Sequence, residues 1–145
     1  MSEVLNLLEV ERAVRQTIVT FSQAFDDEDW QAVRASVSTE VDAEFAEGSI
    51  RGADQMLTVM RDIAARRQAS GTQYMHILGE MKVVVSGEAA EASAFHVAYL
   101  YRQAEVSNPR SKSGSRFFYR LGKEAGTWKI RFFAVRRLWL EGEPY

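Results

Sequence analysis

Asp26 and His76 are the residues whose types best suit acid–base chemistry. A carboxylate hydrogen-bonded to one imidazole nitrogen fixes the ring's tautomer and leaves the other nitrogen as a base. It also steadies the imidazolium once the proton has been taken. Such a pair can remove a proton next to a carbonyl and return it to a leaving hydroxyl, which makes an elimination. Spacing alone does not join the two. Asp26 falls at the edge of its helix's apolar stripe. In strict alternation His76 shares a strand face with Tyr74, Leu78, Glu80 and Lys82, opposite the more apolar Met75, Ile77, Met81 and Val83. A bulge at Gly79 would change which face points inward. The usual role of a lone strand histidine is structural. His96, mid-strand among Ala94, Ala98 and Leu100, has the same two readings. Tyr74, Tyr99 and Tyr101 are aromatic packing or hydroxyl donors to a substrate oxygen. Arg102, Arg116 and Arg136 are solvated strand residues or an anion clamp. Trp30 and Trp128 read as core, and Asp27, Glu28 and Asp29 as a solvated turn.

The elements that must position these residues follow from hydrophobic periodicity. Val10, Val14, Ile18, Phe21 and Phe25 recur at helical spacing and predict a long amphipathic helix over Leu5–Phe25. The acidic turn at 26–29 can cap a second helix, Trp30–Val37. A short strand over Val41–Phe45 and another around Ile50, between Gly48 and Gly52, precede a third helix, Asp54–Arg67, with Met56, Leu57, Met60, Ile63 and Ala64 inward. The rest reads as sheet: Gln73–Val85, Ala90–Gln103, Arg116–Leu121 and Thr127–Trp139, joined by Gly-containing turns. Val106–Ser115, with its SNPRSKSGS run, reads as an exposed loop. The expected class is α+β: three helices and a cone-shaped, strongly curved antiparallel sheet of about six strands wrapped round the long helix. The interior of such a cone is a small-molecule pocket. Phe95, Val97, Tyr99 and Tyr101 make one face of their strand apolar, and Ala94, Ala98 and Leu100 the other. Both faces must be covered, which predicts a homodimer or higher homo-oligomer.

Composition bounds the alternatives. The 145 residues, 46% of them hydrophobic with a net charge of -2, predict one ordered domain over 1–145. With no cysteine there is no thiol nucleophile, disulfide or Cys-based metal site, and two histidines make no His-rich cage. Acids crowd residues 1–50 and bases residues 102–145; the simple reading is that the two ends meet in the fold. Overall acidity without a nucleic-acid motif argues against nucleic-acid binding. No run is long and apolar enough for a membrane span, and the acidic N-terminus is unlike a secretory signal. The expectation is a cytoplasmic protein with no metal and no cofactor.

The ordered set FSQAFDDEDWQAV (Phe21–Val33), IRGADQM (Ile50–Met56), TQYMHILGEMKV (Thr72–Val83), GEAAEASAF (Gly87–Phe95) and GTWKIRFFAV (Gly126–Val135) resembles the SnoaL-like, scytalone dehydratase-like group of the nuclear transport factor 2-like superfamily. The resemblance spans nearly the whole chain and implies a cystatin-like α+β barrel. It also implies a catalytic aspartate at the end of the first helix and a histidine opening the third strand, positions held by Asp26 and His76. Where scytalone dehydratase has tyrosines that hold a water against the substrate carbonyl, this chain has Phe25 and Phe45. The second catalytic histidine falls near Arg102, the asparagine at Arg116 or Phe117, and the lysine and arginine of hexachlorocyclohexane dehydrochlorinase have no clear match. The implied activity is a cofactor-independent lyase or isomerase, dehydratase-like, acting on a small apolar, cyclic or aromatic substrate. His76 is its base and then its acid, and Asp26 orients it. Phe25, Trp30, Phe45 and Phe95 shape the pocket; Tyr74, His96, Tyr99 and Arg102 are the candidates for activating a carbonyl. The alternative is a non-catalytic module: a small subunit like that of aromatic-ring-hydroxylating dioxygenases, which the basic WKIRFFAVRRLWLE strand resembles, or a ligand-binding or dimerisation domain.

Overall fold

The computed structural model describes residues 2–46, 48–102, 104 and 108–143. Three helices and six strands follow in the order α1 (Glu3–Asp26), α2 (Trp30–Ser36), β1 (Val37–Phe45), β2 (Gly48–Arg51), α3 (Ala53–Ala69), β3 (Thr72–Ser86), β4 (Ala89–Arg102), β5 (Ser111–Glu124) and β6 (Thr127–Gly142). The expected α+β class and element order hold.

Helix α1 starts where the Ser2 hydroxyl accepts from the Leu5 amide, and it buries Val14, Ile18, Phe21, Ser22 and Ala24. Its end is sharply defined. Glu28 adopts φ 57°, the Asp29 amide donates to the Ala24 carbonyl at 2.8 Å, and the Glu28 amide donates to Phe25 at 3.2 Å. These two bonds satisfy carbonyls that the last turn would otherwise leave open. Asp29 then caps α2, its carboxylate accepting from the Ala32 amide at 3.0 Å. The acidic run therefore performs three local tasks: it closes one helix, opens the next, and leaves Asp26 as the last residue of α1.

The strands form one sheet ordered β2-β1-β6-β5-β4-β3. Pairing is antiparallel except between β1 and β6, which run parallel. The sheet is thus mixed, not wholly antiparallel as expected. The first two strands are separated from the meander by α3, and β1 joins its edge beside β6. Helix α1 packs on both β3 and β6, strands that lie three places apart, so the sheet curves around it. The core between them is built from Val14, Ile18, Val33, Met56, Ile130 and Phe133, all fully buried.

Two local features bear on which residues line the concave face. At Gly79 the β3–β4 register slips between Leu78 and Met81. This bulge reverses the inward parity of β3: Tyr74 and His76 face the concave side before it, and Met81 after it. Met75 and Ile77 consequently lie half-exposed on the outer face. A Cβ at Gly79 would sit 3.2 Å from the Phe95 carbonyl oxygen, which explains the glycine there. The second feature is β5, which begins at Ser111, so residues 111–115 are strand rather than loop. They are paired to β4 on one side and β6 on the other, and that satisfies their backbone despite the turn-forming composition. Gly114 lies under the Trp139 indole, where a side chain would collide. Gln103, and Val106 and Ser107 of the expected loop, lie outside the described residues. Among the described residues no helix is long and apolar enough to cross a membrane.

Candidate active site

The tip of α1 meets the start of β3. The Asp26 carboxylate makes two contacts to one residue: Oδ1 lies 2.5 Å from His76 Nδ1, and Oδ2 accepts the His76 backbone amide at 2.7 Å. Both side chains are largely buried, at 16% and 14% exposure. An ionised carboxylate only accepts, so Nδ1 carries the proton and the lone pair sits on Nε2. The backbone bond fixes the carboxylate's own rotamer, so the pair is positioned before any ligand arrives.

His76 lines a cavity of about 170 Å³ between α1, α3 and the concave face of the sheet. Its walls are mostly apolar: Phe21, Phe25, Phe45, Met60, Phe117 and Phe133. Polar groups enter from Ser22, Tyr74, His96, Ser113, Ser115, Tyr119 and Arg137. A space of this size matches one six-membered ring with small substituents. The small inward side chain of Ala98 on β4 leaves that volume open.

His96 is 2% exposed and stacks on Phe117 with ring centroids 3.8 Å apart. Its Nε2 shares a 3.1 Å hydrogen bond with the Tyr119 hydroxyl, and its Nδ1 has no partner. Burial first, and the nearby His76 second, push its pKa down to about 3 against a smaller opposing effect of the Asp26 charge. Burial also raises the Tyr119 phenol well above its ordinary value. This end of the cavity is therefore polar but uncharged. The His96 ring lies 6.5 Å from the His76 ring. Beneath the Phe25 and Tyr74 rings sits the buried Arg67 guanidinium, at 4.9 and 4.7 Å from their centroids. It stiffens the wall next to the dyad.

Of the ten residues singled out in the sequence, the fold brings six together around this space: Asp26, His76, Phe25, Phe45, Tyr74 and His96. The other four lie elsewhere. Phe95 is 52% exposed on the outer face, under the Arg116 guanidinium at 5.3 Å. Tyr99 shares that outer parity, because His96 pointing inward forces residues 95, 97 and 99 outward. Arg102 is exposed at the end of β4. Trp30 stands behind the wall, edge-on to Phe25 at 6.3 Å and beside Arg61 at 5.7 Å. Sequence reasoning missed Ser113, Ser115, Phe117, Tyr119 and Arg137. Ser113 and Ser115 were hidden by the loop assignment; Phe117 and Tyr119 could have been found from alternation in β5. Among the described residues no cluster of three or more His, Asp or Glu could hold a metal.

The fold is thus a curved α+β sheet around a long helix, with a buried acid–imidazole pair at the wall of a largely apolar cavity. The family model of the SnoaL-like domain matches residues 6–134, and the chain belongs to that family. Solved structures share the fold at low identity. One from Novosphingobium aromaticivorans, provisionally named a scytalone dehydratase, superposes with a TM-score of 0.78 at 17% identity, covering 97% of this chain and 91% of that one. Another from the same organism, provisionally named an aromatic ring hydroxylase, gives 0.77 at 15% identity, covering 94% of each. A Nostoc punctiforme protein of unknown function, described as having a cystatin-like fold, gives 0.72 at 11%, covering 95% and 94%. No protein among the curated sequences matches this chain.

Proposed function

We propose that this protein is a cytoplasmic, cofactor-independent lyase or isomerase of the dehydratase type. His76 Nε2 takes a proton from a carbon next to a carbonyl or leaving group of a small, largely apolar, cyclic or aromatic substrate. The observation that carries this reading is the two-point hold of Asp26 on His76, which leaves the other ring nitrogen free at the wall of a largely apolar cavity. In the elimination the C–H electrons form the new double bond and the carbon–oxygen bond breaks. The imidazolium, stabilised by Asp26, passes its proton to the departing oxygen, and water leaves. In an isomerisation the same imidazolium returns the proton to a different carbon. Tyr74, whose ring centroid lies 5.3 Å from that of His76, is placed beside the reacting region.

The test is solvent deuterium incorporation into a panel of one-ring ketones and β-hydroxy ketones. His76→Gln and Asp26→Asn should each lower the exchange rate about a hundredfold or more while leaving the fold intact. Unchanged exchange in both variants, or no exchange by the wild-type protein across the panel, would overturn the assignment.

The non-catalytic small-subunit reading draws support from the fold shared with a protein provisionally named an aromatic ring hydroxylase. It leaves the buried acid–imidazole pair without a purpose. Co-purification with a larger chain would favour it.

A further inference from the structure

One polar row crosses the concave face of the sheet. His96 on β4 stands in register with Ser115 on β5, and Ser115 with Arg137 on β6. All three line the cavity. Ser113 lies one inward step along β5, beside Ala98, which is itself the partner of His76. Some other cations of β5 and β6 and the segment before them are matched by acids, Arg131 by Glu124 at 2.9 Å, Lys112 by Glu141 at 3.4 Å and Arg110 by Glu143 at 3.2 Å, whereas the outward-facing Arg116 lies over the Phe95 and Phe118 rings. Among the described residues Arg137 meets no acid, and the Ser113 and Ser115 hydroxyls have no hydrogen-bond partner. An exposed guanidinium without a counter-ion, in register with an unpartnered hydroxyl at the rim of a largely apolar cavity, is arranged to receive an anion that the ligand supplies.

We propose that the cavity takes a substrate bearing a carboxylate, which the Arg137 guanidinium and the Ser115 hydroxyl hold, with Ser113 alongside. This deepens the proton-transfer reading above and rests on it for the identity of the reacting end. The charged group stays at the rim, where Arg137 remains hydrated. The deeper end, closed by the uncharged His96–Tyr119 pair and the apolar rings, gives a carboxylate nothing to offset its lost hydration. Neighbouring strands lie about 4.8 Å apart and Arg137 stands in the register row of Leu78, two residues along β3 from His76, so the His76 and Arg137 backbones are separated by on the order of 16 Å along the sheet. Both side chains reach inward from those positions, and a one-ring or short-chain acid fits the remaining gap. The proton that His76 removes therefore lies on a carbon remote from this carboxylate, not on the one adjacent to it.

The experiment titrates the isotope-labelled full-length protein with sodium benzoate and, separately, with its neutral isostere benzamide. Binding is followed on the His76 and His96 ring signals. Benzoate should bind at least about tenfold more tightly than benzamide, as one charge-assisted contact provides. Added salt should weaken benzoate alone. Arg137→Gln should erase the preference while leaving benzamide binding in place. Arg137→Lys should keep part of it, and Ser115→Ala should lower benzoate affinity several-fold. Equal affinity for the two probes, a preference that survives Arg137→Gln, or no benzoate binding at millimolar concentration each overturns the proposal. Asp26→Asn separates the two readings: it removes proton exchange and leaves the benzoate preference unchanged. A protein that prefers benzoate but never exchanges protons retains the acid site and loses the catalytic one.

Discussion

Replacing His96 by glutamine should remove most of the stability that the wild-type protein loses on mild acidification. In the folded chain the His96 imidazole is held at a pKa of about 3 by burial, against 6.5 when unfolded. Between those values the unfolded state binds the extra proton, so stability is fully present above about pH 6.5 and is lost as pH falls toward 3. Each pKa unit is worth about 1.4 kcal/mol, so moving from about pH 7 to about pH 5 should cost close to 2 kcal/mol through this one ring. Urea unfolding at both pH values, for wild type and His96→Gln, isolates the term: the variant's loss should be smaller by about that amount. Because His76 and His96 are the chain's two histidines, ring NMR can follow both titrations directly. An equal pH slope in the two proteins, or a His96 ring that protonates near pH 6.5, would refute the reasoning.

Three further outcomes are expected. Tyr119→Phe removes the one hydrogen bond that the described residues make to a buried imidazole and should lower stability by about 1–3 kcal/mol, measured by urea unfolding. Met56→Ala, at a fully buried position on α3, should cost about 2–5 kcal/mol in the same assay and leave the dyad's NMR signals in place. The outer sheet face exposes Met75, Ile77, Phe95 and Phe118, and we propose that a second copy covers it. Light scattering should give a dimer for the wild type and a monomer for the double variant Ile77→Glu, Phe95→Glu; a wild-type monomer would refute this.

Hydrophobic periodicity already carried the element order, the α+β class and the placing of Asp26 at the end of a helix. These are local properties: apolar residues at helical or alternating spacing form the same element wherever it docks, and the acidic turn caps its helices through neighbouring amides. The boundary of β5 was not local. Its serines and glycine favour a turn, and only the strands on either side, which satisfy its backbone, make it extended. The parallel β1–β6 pairing likewise depends on two segments far apart in the chain.

The site divides in the same way. The residue types of the dyad were visible in the sequence, but their meeting was not. Strict alternation left the inward face of His76 undecided until the slip between Leu78 and Met81 resolved it. Pairing across β4, β5 and β6 then aligned His96, Ser115 and Arg137, and the same parity turned Phe95 and Tyr99 outward. The order of residues sets what each segment can become; the packing of strand on strand sets which side chains share an enclosed space, because facing depends on register and register depends on partners.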